Sequence, residues 1–328
     1  MKNTTIRAAV ALLVAISSVC LLSACGGTSG DPQALLNDTF SSPRQIESGN
    51  VNLSVVLGPA GSSTSSKSLA VHLSGPFEST AAGKLPRFAL QLGFAAAGHP
   101  LQAGVTSTGS ALYVNLAGTW FSTPHSTYTA LQQSYGQATK RASTAKVRST
   151  FASLGIEPSH WLSEPAEVGT ATIDGAPTIH LTASVNVSGF LADVSKLSQA
   201  GSALGLSSSG VPGGSLLTPS AISELAKSIT ATHVDIYTGK SDHMLRRLEF
   251  TATVSSTAQT KSILDGLSSA QLKVLLEFSD INKPQTIAAP TNPESSTQLL
   301  PALEQLVGAL QGVTGTGSGN VLEPLTTG

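Results

Sequence analysis

Val168-Gly169-Thr170-Ala171-Thr172-Ile173-Asp174-Gly175 leads, two residues later, into Thr178-Ile179-His180-Leu181-Thr182-Ala183-Ser184-Val185-Asn186-Val187. Asp-Gly between two alternating runs is a strong local signal for a two-residue β-hairpin, because both turn positions need positive φ. Ile179, Leu181, Ala183 and Val185 fall on one side of the second run; His180, Thr182, Ser184 and Asn186 fall on the other. A period of two with one apolar side reads as an antiparallel sheet with one face packed and one wet.

The same period recurs on both sides of this hairpin. Toward the N-terminus, Leu53, Val55 and Leu57 alternate with polar neighbours, as do Leu69, Val71 and Leu73. Phe88, Leu90, Leu92 and Phe94 follow, then Leu112, Val114 and Leu116. Toward the C-terminus, a strand from His233 to Thr238 precedes Leu248, Phe250, Ala252 and Val254, and then Leu272, Val274, Leu276 and Phe278. Gly, Ser and Pro clusters bound each run, and Gly58 to Ser66 reads as a long hairpin loop.

Helical signals interrupt the strands. Asp31-Pro32 and Thr218-Pro219 each place a cap before a proline at the first helical position. They open a short helix over Gln33 to Thr39 and a longer one through Ile229. Ser126 to Leu154 and Ser188 to Ala200 read as helices, and Gly201 to Leu217 as a low-complexity connector or lid. Glu294 to Gly312 is amphipathic, with Leu299, Leu303, Leu306 and Leu310 in one stripe.

The N-terminus carries an address. Lys2 and Arg7 precede an uncharged run from Ala8 to Leu22, too short for a lasting membrane helix and followed at once by Gly/Ser. At Leu22-Ser23-Ala24-Cys25 the chain resembles the bacterial lipoprotein box. That resemblance implies cleavage before Cys25 and acylation of its thiol, which fixes the protein to the extracytoplasmic face of a cell membrane. Cys20 lies in the removed segment, so Cys25 is the single cysteine of the mature chain and no intramolecular disulfide forms.

Composition excludes several classes. The 328 residues carry a net charge of −1, and losing Lys2 and Arg7 makes the mature chain more acidic. No basic patch suited to nucleic acid is visible; Arg246-Arg247 and Lys140-Arg141 are the only basic pairs singled out. Charged residues make up 11% of the chain, so its surface is close to neutral. No Gly-x-Ser-x-Gly elbow occurs, and Ser143-Thr144-Ala145-Lys146 lacks the companion motifs of penicillin-binding enzymes. The seven histidines show no metal-ligand spacing; His72, His180 and His233 fall on polar strand faces as solvated side chains. Asp193 and Glu224 read as solvated helix carboxylates. No catalytic, cofactor or metal site is expected.

Three stretches carry a further resemblance: Ile46 to Val51, Val168 to Gly175, and Val234-Asp235-Ile236-Tyr237 with Asp242 to Arg247. With Asn282-Lys283-Pro284-Gln285-Thr286-Ile287-Ala288-Ala289-Pro290 as the exit, their order resembles the LolA-like lipoprotein family of actinobacteria, the LppX and LprG group. The resemblance implies an α+β fold: an incomplete antiparallel β-barrel, or half-barrel, with helices on its concave face. It implies residues 1–24 as signal peptide, 25–33 as lipidated tether and 34–290 as the half-barrel domain. Residues 291–312 then form an added helix able to plug the cavity, and 313–328 a tail. The implied function is carriage of a lipid or acylated glycolipid to the outer envelope, with an envelope transport protein as partner. The expected liners are Phe88, Leu90, Leu92, Leu112, Val114, Ile179, Leu181, Leu248, Phe250, Val274 and Leu276 from the sheet, with Phe190 and Leu225 from the helices. The competing expectation is an anchored interaction scaffold whose apolar faces are filled by its own helices.

Overall fold

A computed structural model describes residues 30–41, 46–59, 68–81, 83–96, 99–144, 157–193, 195, 219–258, 260–261, 264, 266–299 and 301–302. The signal segment, Cys25, the whole Gly201–Leu217 connector and the chain beyond Ala302 lie outside the described residues. So do Ala145 and Lys146 of the Ser-x-x-Lys sequence.

Asp31 caps the first helix, α1 (Pro32–Ser41), as its carboxylate accepts from the Gln33 amide at 3.1 Å. Six strands follow: β1 (Ser48–Gly58), β2 (Leu69–Glu78), β3 (Arg87–Ala96), β4 (His99–Ser107), β5 (Leu112–Leu116) and β6 (Thr119–Ser122). Helix α2 (His125–Thr144) and a 3-10 turn (Pro158–His160) lead to β7 (Leu162–Ile173) and β8 (Ala176–Val185). A helical stretch over 187–193, here α3, is followed by α4 (Pro219–Ser228). Strands β9 (Ile229–Gly239), β10 (Leu245–Ser255) and β11 (Ser269–Ser279) finish the fold.

All eleven strands form one antiparallel sheet in the order β6-β5-β4-β3-β2-β1-β11-β10-β9-β8-β7. The barrel is open: β6 and β7 are its two edges and do not pair with each other. The first and last strands meet in the middle, Leu53 opposite Leu276. Only the β6–β7 connection leaves one edge and returns at the other, and α2 lies in it; the β8–β9 connection, between neighbouring strands, carries α3 and α4. The Asp174-Gly175 turn has φ of 48° and 74°, the doubly left-handed geometry its sequence demands.

Several boundaries differ from the sequence expectation. Strands β4 and β6 escaped it: Pro100 and Gly104 dilute the alternation of β4, and β6 has only four residues. Strand β7 begins at Leu162, earlier than expected, because two bulges absorb Glu164-Pro165 and Val168 and hide the period. Helix α4 ends at Ser228, and Ile229 already belongs to β9. Within the expected Glu294–Gly312 helix, Glu294 instead bridges Phe121 of β6, and Ser296–Gln298 is a 3-10 turn.

The sheet has two rims. The turns β2–β3, β4–β5, β7–β8 and β9–β10 and the crossing from β11 toward β1 lie on one, called here the far rim. The turns β1–β2, β3–β4, β5–β6 and β10–β11 lie on the other, the near rim.

Candidate functional site

Strand register places one apolar row straight across the sheet: Leu181, Ile236, Leu248, Leu276, Leu53, Leu73, Leu92, Ala103 and Leu116. Each residue opposes the next, so all nine share a face. Exposure changes along the row. Leu181 and Ile236 are sealed at 0%, and Leu116 at the other end is 8% exposed. Between them Leu248, Leu276, Leu53 and Leu73 are half-buried, and Leu92 is 42% exposed.

The sealed part over β7–β10 is a conventional core. Leu35, Leu36 and Phe40 of α1 lie against it, together with Trp161, Leu191 of α3, Val234, Phe250 and Leu264. Thr39 of α1 donates to its own Leu35 carbonyl at 2.8 Å and lies 3.0 Å from the Thr238 hydroxyl of β9. Phe190 stands edge-on to Trp161 at 5.2 Å and tilted against Phe250 at 5.3 Å. Asp193 holds this corner. Its carboxylate accepts from Trp161 Nε1 at 3.1 Å and from the Glu157 amide at 2.7 Å. It is 4% exposed, a correction to its reading as a solvated carboxylate: the indole and amide donors replace the water it loses.

A second, smaller cluster closes the other end. Leu85, Leu112 and Tyr128 are buried, with Phe88, Val105, Leu131 and Tyr135 against them. Tyr128 donates its hydroxyl to the Gly109 carbonyl at 2.6 Å. Gln132 donates to Gly83 O at 2.8 Å and accepts from the Leu85 amide at 2.8 Å. These bonds pin α2 along the far rim, from the β4–β5 turn to the β2–β3 turn. The exit segment laces the same rim. Asn282 N donates to Ser48 O, Arg87 Nη2 to Ile287 O, and Ser122 N to Glu294 O, at 2.8, 2.8 and 2.9 Å.

The expected liners fall into four groups by burial and packing. Ile179, Leu181 and Phe250 are 2%, 0% and 2% exposed, fully used by the protein's own core. Phe190, Leu225, Leu248, Val274 and Leu276 are half-buried against that core. Leu112 and Phe88 belong to the second cluster, six and four strand spacings from Phe250, or roughly 29 and 19 Å along the sheet. Leu90 and Val114 are half-buried, and Leu92 is the open one.

Between the clusters lies a strip whose members, Leu92 apart, were not among the expected liners. Leu53 and Val55 of β1, Val71 and Leu73 of β2, and Phe94 of β3 are half-buried, with Leu92 among them. Among the described residues none is packed against either buried cluster. The alternation of these strands was visible. What the sequence lacked was register: only the β1–β11 pairing shows that β1, β2 and β3 fill the middle of the sheet, beyond the reach of α1 and α3.

The opposite face is polar and self-satisfied over β8–β11. His180, Tyr237, Arg247 and Glu277 are direct cross-strand neighbours. His180 stacks on Tyr237 at 4.4 Å between centroids, and its Nε2 lies 2.7 Å from Asp235. His233 Nε2 lies 3.0 Å from the other oxygen of Asp235. Arg247 pairs with Glu277, Nε to Oε2 being 2.6 Å, and reaches Glu249 at 3.3 Å. Burial, with Glu249 and Asp235 nearby, pushes the Tyr237 phenol up from its ordinary value. His180, with its side chain 20% exposed, is held between Asp235 and Tyr237, a correction to its reading as solvated, whereas His233 is 58% exposed, as expected. The basic pair divides between partners, Arg246 going to Asp242 in the β9–β10 turn. Among the described residues no group of three or more His, Cys, Asp or Glu is placed to hold a metal.

No family model matches the chain, and no curated protein does. Solved structures are similar at low identity. LprF from Mycobacterium bovis is 13% identical, with a TM-score of 0.38, covering 79% of this chain and 96% of that one. The MucA/MucB complex of Pseudomonas aeruginosa is 10% identical, TM-score 0.21, covering 76% and 95%. The lipoprotein LppX of Mycobacterium tuberculosis is 12% identical, TM-score 0.34, covering 78% and 98%. LprF and LppX, both mycobacterial, are structural neighbours of this chain.

Proposed function

We propose that this protein is a membrane-anchored extracytoplasmic lipoprotein that holds the acyl part of a lipid or acylated glycolipid against the strip over β1, β2 and β3. It acts as a carrier or chaperone toward the outer envelope, without catalysis. The carrying observation is the row itself, sealed at both ends and open in the middle, with Leu92 at 42% exposure. Three strands at about 4.8 Å spacing give a strip roughly 10 Å wide, and Leu53 to Leu57 spans roughly 13 Å along it. Covering about 130 Å² of apolar surface is worth about 3 kcal/mol at 25 cal/mol per Å². That favours binding of flexible methylene chains without polar specificity. The polar face offers no comparable feature, since its charged groups already answer each other.

Native mass spectrometry of the purified protein tests this. Extra mass in acyl-chain increments, or uptake of added phospholipid, is the expected result. A bare polypeptide mass that stays bare after lipid addition overturns the carrier reading in favour of an anchored scaffold.

A further inference from the structure

The sheet has two edges, and the chain closes one of them with its own backbone. Along β6 the exit segment acts as a short extra strand: Glu294 N donates to Trp120 O at 2.8 Å, and Ser122 N donates to Glu294 O at 2.9 Å. Along β7 the backbone bonds β8 alone among the described residues. Helix α1 packs on β7 and on the Pro158–His160 turn before it, yet the edge stays open. Val168 is 59% exposed, and Thr170 and Thr172 are exposed as well.

The phase of the ladder shows which groups point outward. The two-residue Asp174-Gly175 turn makes Ile173 and Ala176 a bonded pair, so bonded pairs recur at Ala171–Thr178 and Gly169–His180. Pro177 fixes the same phase independently. It stands opposite Thr172, and its carbonyl accepts from Lys240 N, on the β9 side of β8, at 3.0 Å. The amides and carbonyls of Thr170 and Thr172 therefore point away from β8. The first half of β7 is guarded as sheet edges usually are, by Pro165 and two bulges. From Gly169 to Ile173 there is no bulge, proline or lysine. Val168 to Ile173 is thus an open template about 17 Å long, rich in β-branched side chains.

Charge selects what pairs with it. Glu157, Glu164 and Glu167 stand on β7 and the turn before it, and α1 alongside adds Asp38; none of these elements carries Lys or Arg. Glu157 lies 3.0 Å from His160 and Asp38 lies 3.1 Å from His243. Glu164 is exposed, and among the described residues it accepts from the Ser184 hydroxyl at 3.0 Å and meets no cation. Lys240 and Lys283 belong to the far rim at the other end of β7, where Lys283 pairs with Asp280 at 2.9 Å. A second copy fits this edge badly. Pairing Thr170 with Thr172 of the copy uses both outward residues of each chain, but it sets Asp174 of one opposite Val168 of the other, next to Glu167. Like charges facing each other across strands are destabilising.

We propose that the outer edge of β7, from Val168 to Ile173, is a docking strand for an extended basic segment of a partner protein. The segment adds to the sheet beside β7 and carries Lys or Arg toward Glu164. Thr170 and Thr172 supply two donors and two acceptors whatever the partner's sequence, and the carboxylates choose a basic one. The edge is separated from the apolar strip by β8 to β11, so partner and ligand do not compete for one surface. The inference stands apart from the lipid-binding reading.

The test is fluorescence anisotropy of the purified full chain in detergent with the fluorescein-labelled peptide Lys-Val-Thr-Val-Lys-Thr-Val-Lys. Saturable binding is expected. Two twins should bind about tenfold or more weakly: one with Glu for every Lys, and one N-methylated at two consecutive central residues, so that whichever side faces β7 lacks a donor. Thr170→Pro removes one outward amide and no β7–β8 bond, and should weaken binding about fivefold with the urea midpoint little changed. The N-methylated twin leaves the protein unaltered, so a folding defect in Thr170→Pro does not decide the matter. No saturable binding up to about 1 mM peptide, or equal binding of either twin, overturns the proposal. A concentration-dependent dimer in sedimentation that Thr170→Pro abolishes gives the edge to a second copy and overturns it too.

Discussion

Leu92→Gln separates a ligand face from a merely unfinished core. Leu92 is 42% exposed in the protein alone, so polar substitution there should change folding stability by no more than about 0.5 kcal/mol. A bound acyl chain would cover what remains open. Full burial of a leucine is worth about 1.5–3 kcal/mol, so the uncovered share contributes about 1 kcal/mol to binding. The substituted amide would instead be buried without a partner, at a cost of about 1–3 kcal/mol. Together these predict a loss of about 2–4 kcal/mol, or roughly 30- to 1,000-fold in Kd. The assay is titration with NBD-labelled palmitate, paired with urea denaturation of the same samples. Val168→Gln is the control: Val168 is 59% exposed on the edge strand β7, away from the strip, and its substitution should leave both readouts unchanged. Equal affinity of Leu92→Gln and the unaltered protein would refute the assignment of the strip. So would a matching loss from Val168→Gln, which marks nonspecific adsorption.

Leu181→Ala, at a position with no exposure, should cost about 2–5 kcal/mol of stability, read as a lower urea midpoint. Asp193→Ala strands the Trp161 indole and the Glu157 amide and should cost about 2–4 kcal/mol, with a shift in tryptophan emission as that corner loosens. Cys25→Ala should move the protein from the membrane fraction to the soluble one in fractionated cells; unchanged membrane retention would refute the anchor. Burial raises the Tyr237 and Tyr135 phenols, so they stay neutral when the unfolded chain begins to ionise near pH 10. The folded state then binds more protons than the unfolded one, and stability falls as pH rises above that point. Absorbance titration at alkaline pH should show late tyrosine ionisation, with the late component reduced in Tyr237→Phe.

Much of the sheet was legible because its physics is local. The Asp174-Gly175 turn, the Asp31-Pro32 cap and the alternation of β1, β2, β3, β5 and β8–β11 each depend on neighbours along the chain. The strands that escaped were those whose signal is diluted: β4 by Pro100 and Gly104, β6 by its length, the start of β7 by bulges. The apolar face was legible as a face but not as a site. Sequence marks Leu181 and Leu92 equally, as apolar positions in alternating strands. One is sealed and the other open because helices α1 and α3 come to rest over β7–β10, which depends on tertiary placement. Asp193 was misjudged for the same reason: a helix carboxylate is solvated until an indole from elsewhere in the chain turns toward it.

The seam at the middle of the sheet has a consequence for biogenesis. Strand β1 is made early, yet its β11 partner is synthesised more than two hundred residues later. Until then β1 presents a bare row of amides and carbonyls flanked by valine and leucine, the kind of edge that recruits other chains. Contacts of such long sequence separation also slow folding. The chain therefore exposes its least protected strand early, and a truncated product lacking Ser269–Ser279 would be left as two sticky half-sheets instead of one smaller stable one.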